Sequence, residues 1–207
     1  MSAPARIDIF SDTVCPWCYL GKRRFEAALE ARPQYEPRVI WRPFELNPDL
    51  PPEGVDRARH LAARGDLKRN ADTESALVAL GETVGIAFRF DLIERIPNTR
   101  RSHLLIAHAA RRGAQPEVVD RLTRAYFEEG RDIGDLDERE CRSALVLRAG
   151  QDGVVAAARH AAALGITGVP TFIFDGQYRI SGALEIEALA GVLDQVAEIA
   201  AAGEDKS

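Results

Sequence analysis

The sequence predicts an α/β fold in which one small sheet is interrupted by a large all-helical insertion, and three observations predict it. Ile7-Asp8-Ile9-Phe10 and Arg38-Val39-Ile40-Trp41 have the short, β-branched character of strands and flank a helical stretch. Residues 171–174 and 178–181 read as two more strands, joined through the hairpin signal Asp175-Gly176. Between about residues 54 and 164, apolar residues recur at helical spacing. The order is β-α-β, a long helical block, then α-β-β-α. Residues 1–50 and 151–207 therefore form one domain, and 51–150 a helical domain inserted into it.

Taken in order, the first strand hands over to a helix at 19–31, with Leu20, Phe25, Ala28 and Leu29 apolar among Lys22, Arg23, Arg24 and Glu26. Cys15-Pro16-Trp17-Cys18 stands at the junction. Pro16 suits the first helical position, which places Cys15 at the N-cap beside free backbone N–H groups and the positive end of the helix dipole. That environment favours a thiolate, the nucleophilic form of cysteine. Cys18 follows nearly one turn later, within reach of Cys15. A zinc site would need two further Cys or His ligands at short spacing. Neither Cys141 nor the histidines at 60, 103, 108 and 160 form such a pair, so no metal is expected. The pair reads as redox chemistry.

After the second strand, four prolines between residues 43 and 52 exclude helix and central strand. Phe44 and Leu46 in this loop are apolar and lie where a loop lines a site at a strand's carboxyl end. Within the insertion, Ala76, Leu77, Leu80 and Val84 form one helical stripe, and Val118, Val119, Leu122, Ala125 and Tyr126 another. Pro97-Asn98-Thr99 reads as a turn plus the N-cap of a helix beginning near Arg100. His103 and His108, five apart, do not share a face squarely and read as packing or surface residues, with the approach of one of them to the redox pair as the lesser reading. Asp135 starts a helix that carries Cys141 as a small buried hydrophobe. Pro170 opens the strand at 171–174, which a cis bond after Val169 reconciles with a central strand, and 185–202 is a closing helix.

With 207 residues and net charge −5, the chain has ample core and no basic excess for nucleic acid. Neither a signal peptide nor a membrane span is legible, and three cysteines do not make a disulfide scaffold. A cytoplasmic protein is expected, its disulfide transient.

The run from Ser11 to Arg23 around CPWC, the loop Pro43-Phe44-Glu45-Leu46-Asn47-Pro48, and Gly168-Val169-Pro170-Thr171-Phe172 before a hairpin together resemble the DsbA-like thioredoxin superfamily, and within it the FrnE-type branch. The resemblance spans nearly the whole chain. It implies a thioredoxin-like fold with a helical insertion, and a protein-disulfide oxidoreductase or isomerase. Cys15 would form the mixed disulfide and Cys18 resolve it. Val169 and the cis-proline Pro170 would hold an extended partner, with Pro16, Trp17 and Phe44 as contact surface. No cofactor is implied beyond glutathione or another thiol as redox partner, and the substrate would be a protein or small molecule bearing a thiol or disulfide. DsbA has histidine where Trp17 stands, and Trp17 supplies no cation to a thiolate, so a weaker oxidant is expected. The fold also looks like the glutathione-dependent 2-hydroxychromene-2-carboxylate isomerases and kappa-class transferases. Those typically carry serine at the position of Cys15, so two cysteines here weigh against that class.

Overall fold

The computed structural model describes residues 6–65, 67–135 and 148–204; the helix expected to carry Cys141 lies outside them. Strand β1 (Arg6–Ser11) is the centre of the molecule and is buried on both faces. It pairs in parallel with β2 (Arg38–Pro43) and antiparallel with β5 (Thr171–Phe174), which in turn pairs with β6 (Tyr178–Ser181), giving the order β2-β1-β5-β6. The period of two sorts side chains to the faces. Ile7, Ile9, Phe172 and Phe174 enter the main core with Phe25 of helix α1 (Pro16–Glu30) and Leu189 and Leu193 of the C-terminal helix, whereas Phe10 and Ile173 enter a smaller cluster with Ala161 and Ile166. Phe25 and Phe172 rings lie 5.4 Å apart. The β5–β6 turn needs positive φ at both central residues, and Asp175 (48°) and Gly176 (70°) supply it.

Among the described residues, the regular structure between β2 and β5 is helical with one exception. Helices α2 (Arg57–Ala63), α3 (Leu67–Glu82), α4 (Arg100–Ala110), α5 (Gln115–Phe127) and α6 (Arg148–Ala163) precede β5, and α7 (Ile186–Glu204) follows β6. The exception is a two-residue ladder, β3 (Val55–Asp56) with β4 (Arg95–Ile96). Strands this short carry no alternation to read, so the insertion is helical around a small clip of sheet. At the start of α4 the turn and cap fall where the run at 97–99 places them. Thr99 occupies the cap position but its side chain makes no capping bond, and Asn98 Oδ1 accepts from the Arg100 N–H instead (3.0 Å).

The insertion meets the sheet half through the main apolar core, where Tyr19 of α1 packs on Phe88 and Phe127, and through polar pairs set into that seam. Gln115 of α5 accepts from the Trp41 N–H (3.1 Å) and donates to the Trp41 carbonyl (3.2 Å), completing the edge of β2. Lys22, buried on α1, reaches Asp120 and Glu26, each at 2.8 Å. Burial alone would raise the Asp120 carboxyl; the bond and charge of Lys22 reverse that and hold it below the usual carboxylate range. Among the described residues no helix is long and apolar enough to cross a membrane.

Candidate active site

Sequence dictates the geometry of the cysteine pair through Pro16. Its fixed φ starts α1, leaving Cys15 extended at the N-cap (φ −91°, ψ 110°) with no side chain capping the helix. The Cys15 carbonyl accepts from the N–H of Cys18 (3.0 Å) and Tyr19 (3.2 Å), and the Cys15 N–H donates back to the Asp12 carbonyl (3.1 Å). Both cysteines are free thiols. Exposure separates them little, Cys15 at 4% and Cys18 at 2%, whereas Trp17 between them is 38% exposed. Surroundings separate them more. Burial pushes the Cys18 thiol up, with adjacent Cys15 adding to it, while the Asp12 N–H and the Ser11 hydroxyl pull the other way. Cys18 is therefore held as a protonated thiol.

Cys15 faces the loop that leads into β5. Its sulfur donates to the Val169 carbonyl at 3.8 Å, and the Val169–Pro170 bond is cis. The loop is tied at both ends: Thr171 Oγ1 donates to the Gly168 carbonyl and the Gly182 N–H to the Pro170 carbonyl, each at 2.8 Å. Helix α1 approaches this loop at Gly21, where a Cβ would lie 3.0 Å from Pro170 Cγ.

On the other side stand α4 and the loop after β2. Asp12, fully buried, has its Oδ2 bonded by the Leu46 N–H (2.7 Å) and its Oδ1 3.2 Å from His103 Nε2, which also lies 3.1 Å from the Phe44 carbonyl. Both neighbours of that nitrogen are acceptors, so Nε2 carries the hydrogen. Ser102 donates to the Thr99 carbonyl (2.8 Å), which leaves the Thr13 hydroxyl to donate to Ser102 (2.8 Å). Beyond Val14 and Pro16 opens a cleft of about 160 Å³, walled by Leu46, Phe90, Ile93 and Tyr126, with Arg57 and Asn70 each bonded to Glu74 in its lining.

Of the residues singled out in the sequence, Cys15, Pro16, Cys18, Val169 and Pro170 come together here, with Trp17 beside them facing solvent. Phe44 does not turn outward: its ring is partly buried against the Phe10–Ile173 cluster with Val169, and its carbonyl is the part that faces the site. Leu46, 44% exposed, takes the outward place in the loop. Asp12, Thr13, Ser102 and His103 were not legible as site residues. Asp12 and Thr13 lie in the run around the cysteines that carries the resemblance, the approach of His103 or His108 to the site is only the lesser reading of those histidines, and Ser102 carries no signal.

The model of the DSBA-like thioredoxin domain matches residues 6–194. The chain belongs to that family. Within it, the chain is 30% identical over 190 residues to the Bacillus subtilis protein described as "Uncharacterized protein YwbO", covering 86% of this chain and 90% of the relative. The solved structure of a "probable DsbA oxidoreductase SCO1869" from Streptomyces coelicolor is similar with a TM-score of 0.81 and 33% identity, over 92% of this chain and 88% of that one. The cytosolic disulfide reductase DsbM of Pseudomonas aeruginosa, solved with GSH, shares the fold at 16% identity and a TM-score of 0.64, over 92% of this chain and 98% of DsbM. A DSBA-like domain accounts for the sheet order and for the helical block between β2 and β5.

Proposed function

We propose that this chain is a thiol–disulfide oxidoreductase that works through Cys15 and Cys18 on a thiol- or disulfide-bearing protein or small molecule. The observation that carries it is the placement of the pair: both thiols are buried, Cys15 at the α1 N-cap faces the Val169 carbonyl beside the cis Val169–Pro170 bond, and Cys18 follows in the first turn of α1. In the reducing direction, the Cys15 thiolate attacks one sulfur of the partner's disulfide. A Cys15–partner bond forms, the partner's S–S bond breaks, and its other sulfur leaves as thiolate and takes up a proton. Cys18 then gives up its proton and attacks Cys15 Sγ, forming the Cys15–Cys18 disulfide and releasing the partner's second thiol. Two electrons pass to the partner; the reverse sequence oxidises it. An extended partner pairs its backbone with Val169 and lays flanking side chains against Trp17, Leu46 and the cleft beyond Val14.

We place it in the cytoplasm, where such a disulfide is transient and glutathione is the abundant thiol; DsbM, solved with GSH, supports glutathione as a redox partner. The test is equilibration in glutathione buffers with the disulfide followed by mass spectrometry. A reversible Cys15–Cys18 disulfide is expected, with exchange abolished in Cys15→Ser and mixed disulfides trapped in Cys18→Ser. Full exchange by Cys15→Ser would sink the proposal. A wild-type protein that only accumulates a glutathione adduct on Cys15 would move it to the glutathione-dependent isomerase or transferase class.

A further inference from the structure

Three basic residues stand together on α1, and they reach different parts of the molecule. Lys22 and Arg23 turn toward Asp120 of the insertion, at 2.8 and 3.4 Å. Arg24 turns into the sheet half. Its side chain is 4% exposed, and a guanidinium so buried is costly unless its donors are bonded. Nη1 donates to the Ala183 carbonyl at 2.7 Å, and Nη2 meets the exposed Glu185 carboxylate at 2.8 Å.

Ala183 belongs to a short strap that leaves β6 and crosses α1 at Gly21, where a Cβ would lie 3.5 Å from Ala183 Cα. This strap and the end of β6 hold the loop before β5. Gly182, at φ 94°, donates its N–H to the Pro170 carbonyl (2.8 Å). Ser181 Oγ donates to Thr171 Oγ1 (3.0 Å), whose own hydrogen goes to the Gly168 carbonyl (2.8 Å). Val169 is thus tied on both sides, and its carbonyl is the one 3.8 Å from Cys15 Sγ.

We propose that Arg24 is a positioning residue for the disulfide partner: it clamps the strap at 182–183 onto α1, and the strap sets the Val169 edge at which the partner's backbone pairs. Because α1 also carries the cysteines, one helix then fixes both the nucleophile and the seat of the chain it attacks. This rests on the exchange chemistry proposed above. Loss of a bond from a charged donor is worth roughly a tenfold change in the step that depends on it.

Capture is measured in a Cys18→Ser background by acid-quenched mass spectrometry, with two symmetrical disulfides as probes. One is the disulfide of an extended peptide holding a single cysteine, which has a backbone to pair; the other is hydroxyethyl disulfide, which has none. With either, Cys15 thiolate bonds to one sulfur while the other leaves as a thiolate and takes up a proton. Arg24→Met is expected to slow peptide capture about tenfold and hydroxyethyl capture less than about twofold. Arg24→Lys, which returns a charged donor to the carbonyl, is expected to stay within about threefold of the parent for the peptide. Glu185→Ala, which removes the ion pair and leaves the carbonyl bond, is expected to change neither rate. Gly182→Ala strains the backbone on the loop side of the strap; it is expected to slow peptide capture selectively as well, and decides the matter if Arg24→Met does not fold. The inference is overturned if peptide capture is unchanged in Arg24→Met or, where that variant does not fold, in Gly182→Ala. It is equally overturned if both probes slow together, or if Arg24→Lys or Glu185→Ala is as slow as Arg24→Met. A parent that captures neither probe would instead sink the oxidoreductase reading itself.

Discussion

The sheet half is held together by one kind of contact, and its seam with the insertion by two. Around β1 the glue is apolar: Ile7, Ile9, Phe25, Phe172 and Phe174 are all but inaccessible to water and pack ring on ring and branch on branch. Where the insertion docks, the apolar cluster continues, with Tyr19 against Phe88 and Phe127, and polar groups meet within it in pairs, Trp41 with Gln115, Lys22 with the half-buried Asp120, Thr13 with Ser102, Asp12 with His103. Apolar packing tolerates small slips, whereas a buried polar pair is satisfied in one geometry only. The first kind of contact makes a scaffold; the second fixes a register, and here it fixes the insertion against the cysteines.

The largest effect should come from the scaffold. Phe172→Ala empties a fully buried site against Phe25 and is expected to cost about 3–5 kcal/mol in urea unfolding, with all elements losing protection together. Gln115→Leu leaves the buried Trp41 N–H and carbonyl without their partners and is expected to cost about 2–3 kcal/mol. Hydrogen exchange should then show α4 and α5 losing protection before β1 and β5. Equal loss everywhere would break the comparison and make the two halves one cooperative unit. Lys22→Met should cost about 1–2 kcal/mol at neutral pH, the partial exposure of Asp120 screening the pair. Because the Asp120 carboxyl is held below its usual range, the pair stabilises above about pH 4 and is lost as pH falls through the depressed value. The variant's unfolding free energy should thus fall less steeply with acid than the wild type's. Smallest in stability is Trp17→Ala, expected within about 0.5 kcal/mol, yet several-fold slower in capturing a peptide disulfide, since this ring is exposed beside Cys15.

The same division governs what the sequence revealed. The four strands of the main sheet, the Asp175-Gly176 turn and the helix opening at Pro16 depend on neighbours a few positions away, so spacing and turn chemistry expose them. The cysteine pair is local in the same sense. His103 meets Asp12 across 91 positions and Gln115 meets Trp41 across 74, distances at which no periodicity reports a partner. Phe44 shows a finer limit. Phe44 and Leu46 are both apolar in a proline-bound loop, and only the Phe10–Ile173 cluster decides that the phenyl ring turns in while the leucine turns out. At the start of α4 both Asn98 and Thr99 are capping types, and the backbone alone picks Asn98.

Gly21 sets a clearance. A glycine inside a helix gives up about 1 kcal/mol relative to alanine, and at this one crossing the missing methyl lets the proline ring rest against the helix backbone, with Ala183 the next surface at 3.5 Å. The gap between the Cys15 sulfur and the Val169 carbonyl is inherited from that seating, in the way a shim sets the opening of a jaw. A methyl group added at position 21 is expected to press on the Pro170 ring and so to shift that gap from a buried residue that is neither of the two thiols.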